Sequence, residues 1–281
     1  MSRKLSDNFM SDLKTGFLSE LIDRMHKDKD LDFQIRNNYI NMYYKGNSLL
    51  KLAETRPHRY KAFVDIKFRP ENISYNFTDT EAVHAFIDQI PMIKDKIAIH
   101  KRVSLETEYE QLIIRANNLE PRNNTEYFII DRQYATDKDR FDLTGVVWNR
   151  NNRRRDQTVP LCFMEVKFAL NRDIGAIHSQ LKRYYSTIET KIDDLAQEAQ
   201  DILKQKIELG LFRQDEGRIE VMKTMSISNR IDDAQFIIIL VDYNPYSLRL
   251  KKSDLKQLDF SAQIKIIYKG FALWQKENEQ E

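Results

Sequence analysis

Residues 161 to 170 read LCFMEVKFAL, a strand-length apolar run broken by two charges, Glu165 and Lys167. Side chains alternate across a strand, so these two share one face while Met164, Val166 and Phe168 share the other. A charge left unpaired in a low-dielectric interior costs several kcal/mol. The segment must therefore either turn its charged face to water at a sheet edge or give the two charges each other, a metal or a chemical task.

The rest of the chain permits a large interior. Its 281 residues, 41% hydrophobic and 31% charged with 7 Gly and 6 Pro, exclude a disordered or fibrous protein and predict a compact α/β mixture. Forty-five basic against 43 acidic side chains leave +2, so only the distribution of charge can speak for or against a nucleic acid partner. The single cysteine, Cys162, excludes an internal disulfide and a metal site built on thiolates. The first residues lack the apolar core of a signal peptide, and no stretch reaches the roughly 18 to 20 apolar residues that span a bilayer. The expectation is a cytoplasmic protein without a membrane partner.

The spacing predicts one amphipathic helix over residues 5–26, with Leu5, Phe9, Leu13, Phe17, Leu21 and Met25 on one stripe. A small antiparallel sheet follows, with runs at 39–44, 48–53 and 60–68 and a turn at Lys45-Gly46-Asn47. Residues 79–100 read as a helix in two pieces, divided near Pro91. These elements make an N-terminal α+β accessory region over residues 1–100. From Ser104, an N-cap residue, the order is a helix through Asn118, a strand EYFIIDRQYA, a turn at 136–139, a strand RFDLTGVVW, a basic loop and the strand containing Glu165. A long, broken helix over 173–209 comes next, then QFIIILVDY, apolar enough to be buried on both faces. A short helix near 253–258 and a strand from Gln263 close the second region, 101–281.

Five acid-x-Lys triplets begin at Asp12, Asp65, Glu165, Glu189 and Asp254. Only those at Asp65 and Glu165 lie in apolar, strand-like context, and only the second has suitable neighbours. Asp142 opens the preceding strand, where a hairpin brings its carboxylate beside Glu165. Hard divalent cations bind through one or two carboxylates plus water, and the Val166 carbonyl can add an oxygen. Lys167 can activate a water or stabilise charge on phosphoryl oxygens. Gln180 and Tyr184, four apart on the next helix, share a face and can orient substrate or the lysine.

In this order, Asp142, Glu165-Val166-Lys167 and Gln180-Leu181-Lys182-Arg183-Tyr184 resemble the PD-(D/E)XK nuclease superfamily over roughly residues 104–245. Phe141 stands where that family usually has proline. The resemblance implies a restriction-endonuclease-like core, a central mixed sheet flanked by helices, cutting phosphodiester bonds of DNA with Mg²⁺ or Mn²⁺. It also implies an acid on the first helix. Glu106 and Glu108 border the apolar stripe of Leu105, Tyr109, Leu112, Ile113 and Ala116, and Glu110 lies further towards solvent; Glu108 is the choice as a further metal ligand, with Glu106 and Glu110 kept open. Arg150, Arg153, Arg154 and Arg155 in the loop between the two metal-bearing strands, with Lys182 and Arg183, are candidates for phosphate contacts. A homodimer suits cutting both strands. The alternatives are a catalytically inactive nuclease-like module that binds nucleic acid or protein, and a purely structural Glu165–Lys167 pair with the real site near Asp65 and Lys67.

Overall fold

The computed structural model describes residues 3–100, 104–135, 140–168, 171–244, 246–250 and 255–267, and it is a mixed α/β protein built on two five-stranded sheets. The N-terminal half opens with helices α1 (Asp7–Lys14) and α2 (Ser19–Lys27) where the sequence predicts one. Gly16 makes the break: a Cβ there would meet the backbone of Asp12 at 2.7 Å, so the chain turns back on α1 through a contact that only glycine allows.

Strands β1 (Leu31–Ile35), β2 (Tyr39–Tyr44), β3 (Asn47–Arg56), β4 (Arg59–Phe63) and β5 (Asn76–Phe77) form an antiparallel meander. Lys45 and Gly46 both have positive φ, as a two-residue hairpin turn requires. Alternation then divides the sheet. Phe33, Ile35, Ile40, Met42, Leu50, Leu52, Tyr60 and Phe77 are buried in the core shared with α1, α2, α3 (Thr80–Ile87) and α4 (Ile90–Ile99). Pro91 sits in the first turn of α4, where its missing N–H costs nothing. The predicted strand through Phe68 stops at Phe63; Asp65 and Lys67 lie in an exposed turn, Asp65 accepting the Lys67 N–H at 3.0 Å. The strand setting on which the rival reading rested is therefore absent.

The second half begins with α5 (Leu105–Ile114), followed by β6 (Tyr127–Ala135), β7 (Arg140–Val147), a short β8 (Thr158–Val159) and β9 (Leu161–Phe168). Helices α6 (Ile177–Glu189) and α7 (Ile192–Glu208) are the two pieces of the broken helix expected there, and α8 (Glu216–Met222) and the short β10 (Ser226–Ile227) precede β11 (Gln235–Val241) and β12 (Ala262–Ile267). The sheet order is β12-β11-β9-β7-β6; β6, β7 and β9 run antiparallel, while β11 lies parallel to both β9 and β12. β11 is buried on both faces, as its continuous apolar run requires. One face packs Met164, Val166, Ile237 and Ile239 against Ile113 and Ile114 of α5; the other packs Phe163, Phe236 and Leu240 with Leu181, Tyr184 and Leu203 of α6 and α7. The predicted turn at 136–139 and the start of the helix at 253 lie outside the described residues. Among those residues no helix is long and apolar enough to cross a membrane.

The boundary read at residue 100 separates two sheets but not two cores, because the larger apolar cluster runs without interruption from Leu5 to Tyr243. Polar links cross it as well. The Gln205 side chain receives the Leu5 N–H and donates to the Leu5 carbonyl, both at 2.9 Å, and the buried Lys206 ammonium donates to Gln34 at 2.9 Å. Asp131 on β6 holds Arg3 at 2.7 Å and also the guanidinium of Arg36. Asp131→Ala strands both cations in a buried setting and is expected to cost about 3 kcal/mol. Urea unfolding should register that loss in one transition seen alike by tryptophan fluorescence and far-ultraviolet dichroism, since one core serves both halves; two separate transitions would contradict the shared core.

Candidate active site

Asp142 stands third in β7 and Glu165 and Lys167 stand near the end of β9, so antiparallel pairing brings them to the same end of the sheet. The ladder's last partners are Leu143 and Met164, and Asp142 and Glu165 follow next on their strands. There the Asp142 carboxylate accepts the Val166 N–H at 2.8 Å. Phe141, where a proline was expected, sets its ring edge-on to Tyr184 at 4.6 Å and against Phe163 at 5.4 Å, so this position packs the wall behind the carboxylates.

Glu165 is 3% exposed and fully held. Its Oε1 accepts from Lys167 Nζ at 2.6 Å and from Gln180 Nε2 at 2.7 Å, and its Oε2 lies 3.2 Å from the Tyr184 hydroxyl. The same Gln180 amide donates to the Tyr184 oxygen at 2.6 Å, and the Tyr184 hydroxyl also lies 2.7 Å from the Arg140 carbonyl. The i,i+4 spacing on α6 thus joins the helix to both strands, and Asp142, Glu165, Lys167, Gln180 and Tyr184 all meet in one place. Lys182 and Arg183, between them in sequence, are exposed on the outer side of the same helix.

The electrostatics are those of crowded acids. Burial, then the charges of Glu165 and Glu110, push the Asp142 carboxyl up to about 8, against the opposing pull of the Val166 N–H and Lys167. Burial lowers the Lys167 ammonium, but attraction to Glu165, Asp142 and Glu106 outweighs it and leaves the group above its ordinary value, a fixed cation at neutral pH. Burial likewise raises the Tyr184 hydroxyl, with Glu165 adding to the effect, so it remains a phenol.

The first-helix acid is corrected by the structure. Leu105, the first residue of the apolar stripe, is 50% exposed, so the buried face of α5 is rotated from the one expected. Glu110 is 3% exposed, lies 3.3 Å from Arg132 Nε, and contributes its charge to Asp142; burial lifts its own carboxyl to about 6 against the pull of Arg132. Glu106 turns to the end of β9, where it accepts the Phe168 N–H at 3.3 Å and a bond from Asn171. Glu108 points the other way, into a cavity of about 150 Å³ between α5 and the N-terminal sheet that Tyr44, Lys45 and Gln111 also line. It does not belong to the carboxylate cluster.

The basic loop is a second correction. It joins the end of β7 to the start of β9, whereas the carboxylates occupy the start of one and the end of the other; at about 3.3 Å per residue the strands separate them by roughly 15 Å. Arg153 is engaged there: it stacks 4.5 Å over Trp148 and donates to the carbonyls of Thr125 and Trp148. Arg150 sits in the turn with its N–H on Glu126, and Arg154 and Arg155 are exposed at this distant end. Sequence reasoning passed over Arg132 and Gln133, which hold Glu110, and Asn171, which holds Glu106. The adjacent charges Asp131 and Arg132 inside the run YFIIDRQY were the available signal.

Among the described residues no group of three or more His, Cys, Asp or Glu side chains stands ready to enclose a metal ion. Two carboxylates do fit one: Asp142 and Glu165 lie close enough for each to resist the other's charge, an arrangement that a divalent cation relieves. No protein-family model, curated protein or solved structure matches the chain.

Because the folded-state value of Asp142 lies far above the ordinary 3.8, the folded protein holds that proton more tightly than the unfolded chain. The stability it contributes is complete below about pH 4 and is lost as pH rises to about 8, a change on the order of a few kcal/mol. Asp142→Asn keeps an acceptor for Val166 and cannot ionise. In metal-free buffer it should raise the melting temperature by several degrees at pH 8.5 and hardly at all at pH 5; an equal effect at both would refute the assignment of charge strain to Asp142.

Proposed function

We propose that this protein is a metal-dependent nuclease that hydrolyses phosphodiester bonds, most naturally in DNA, on a restriction-endonuclease-like core. The observation that carries the reading is the convergence of Asp142, Glu165, Lys167, Gln180 and Tyr184 from three elements onto one end of the mixed sheet. Sheet order supports it too: an acid-bearing helix, an antiparallel hairpin with its carboxylates, a Gln/Tyr helix and a parallel strand succeed one another as the PD-(D/E)XK resemblance implies.

Asp142 and Glu165 would hold the cation, and the Val166 carbonyl remains a candidate oxygen ligand. Bound there, Mg²⁺ or Mn²⁺ would supply Lewis-acid stabilisation of the phosphoryl oxygens and a water of lowered pKa. The protein's own groups do the rest. Gln180 and Tyr184 fix the Glu165 carboxylate so that it need not reorganise when substrate arrives. Lys167, kept charged by Glu165, sits where it can orient the attacking water or face the negative charge that grows on the scissile phosphate. Glu110 adds negative charge that favours cation capture, while the neighbouring Arg132 favours its ionised form against the cost of burial.

Purified protein should nick plasmid or cut single-stranded DNA in Mg²⁺ or Mn²⁺, and Glu165→Gln and Lys167→Ala should each lower the rate by roughly 10²-fold or more. Undiminished cleavage in Glu165→Gln would assign the activity elsewhere, and absence of cleavage on every DNA and RNA substrate would favour the inactive binding module. A finer comparison tests the helix: Glu110→Gln should slow cleavage about tenfold or more while Glu108→Gln leaves it within about twofold, the reverse ranking being the result that restores the sequence-based choice.

A further inference from the structure

The meander of the N-terminal half has a second face, and its composition differs from that of a solvated sheet. Register places Tyr39, Asn41 and Tyr43 of β2, Lys51 and Ala53 of β3, and Lys61 and Phe63 of β4 on the side away from the helices: Asn41 faces Lys51, Lys51 faces Phe63, and Ala53 lies between Tyr39 and Lys61. Phe63 is 45% exposed, a benzene ring left in water. Lys51 Nζ stands 4.2 Å from the Tyr39 ring centre and 5.9 Å from that of Phe63, and Lys61 Nζ stands 5.5 Å from Phe63. Two rings are thus interleaved with two ammoniums across three strands.

The face carries one sign of charge. Among its described strand residues the single acid is Asp32 on β1, and that carboxylate is buried against Gln34 and Arg132. Glu54, the other acid of these strands, pairs with Tyr60 on the opposite face and is bonded by Ser6 and Asn38. The face also leads to the catalytic cluster: Tyr43 lies beneath the Arg132 guanidinium at 4.5 Å, and that guanidinium is the one held by Glu110.

We propose that the outer face of β2, β3 and β4 seats a single-stranded segment of DNA, its bases against Tyr39 and Phe63 and its phosphates on Lys51 and Lys61. Stacking platforms interleaved with cations are what a single strand requires, since its bases offer free π-faces and its backbone one charge per nucleotide. A duplex hides those faces and would leave Phe63 without a partner. The identity of the polymer rests on the nuclease reading above; the seat itself rests on the register, the rings and the sign of charge. Tyr43 packs on the buried Arg132 that holds Glu110, so the seat is joined through the protein interior to the sheet that carries Asp142 and Glu165.

The test is anisotropy of a short, labelled oligothymidylate in EDTA with wild type, Phe63→Ala, Lys51→Ala, Lys61→Ala and Glu165→Gln, each checked for an unchanged melting temperature. Phe63→Ala should weaken binding about tenfold, and each lysine variant should weaken it and reduce the slope of log affinity on log salt by about one. Glu165→Gln should bind like wild type. Failure of wild type to bind, or full affinity in Phe63→Ala and both lysine variants, overturns the proposal. Equal losses on a duplex of the same length overturn its single-strandedness. The two readings fail separately: normal binding by the face variants with cleavage lost in Glu165→Gln removes only the seat, while lost binding with cleavage intact in Glu165→Gln removes only the active-site assignment.

Discussion

The arrangement depends on one buried guanidinium. Arg132 has no exposed side-chain surface, and it lies 3.5 Å from Asp32 on the N-terminal sheet, 3.3 Å from Glu110 on α5 and 4.5 Å above the ring of Tyr43. Removing such a cation from water costs more than any one of these contacts returns, so the three must be kept together. Holding them together fixes where the first sheet, the first helix and the edge strand of the second sheet meet. The neighbouring Asp131 reaches back the other way, to Arg3 and Arg36, so two adjacent residues of β6 carry opposite charges across the same junction.

From that junction the charge of the site follows. The charges of Glu110 and Glu165 both act on Asp142 near the end of the sheet, with Lys167 held by Glu165 and Arg132 by Glu110. Burial, with the charges of Glu165 and Glu110 added to it, raises the Asp142 carboxyl to about 8 while Lys167 stays charged. A fold optimised for stability alone would place an amide at 142. Functional sites are where such local conflicts are retained, and the surrounding core, with Phe141, Phe163 and Tyr184 packed behind the acids, is rigid enough to keep this one.

Much of this was legible in the sequence because it is local. Period-two alternation put Glu165 and Lys167 on one face, the i,i+4 spacing put Gln180 and Tyr184 together, and the apolar run at 235–241 specified a strand buried on both sides. What failed was whatever depended on a partner. The stripe read on α5 ran through Leu105, Tyr109, Leu112, Ile113 and Ala116; tertiary packing kept Tyr109 and Ile113, added Ile114 and left Leu105 in water, which carried Glu110 inward and Glu108 away. The basic loop adjoins both acid-bearing strands in sequence and lies far from the acids in space, since a hairpin's connection is by construction at the opposite end from the start of its first strand. The break at Gly16 was hidden because the apolar repeat continues across it.

The same helix explains why the two halves form one protein. Successive residues of α5 face different partners: Glu110 turns to Arg132 and the acids, and Gln111 turns to the first sheet, where its Oε1 accepts the Gly46 N–H at 2.8 Å and its amide donates to the Asp30 and Tyr43 carbonyls. The turn fits because Gly46 has no side chain; a Cβ there would meet Thr107 at 2.9 Å. A hairpin of the N-terminal sheet is therefore docked one residue away from an acid of the candidate site, and Tyr43 from that hairpin lies against the cation that holds the acid. Without the first sheet, Arg132 would lose Asp32 and Tyr43 together, and Glu110 would be tied to a partner with no fixed position. The accessory region is thus part of the wall that sets the charge of the site.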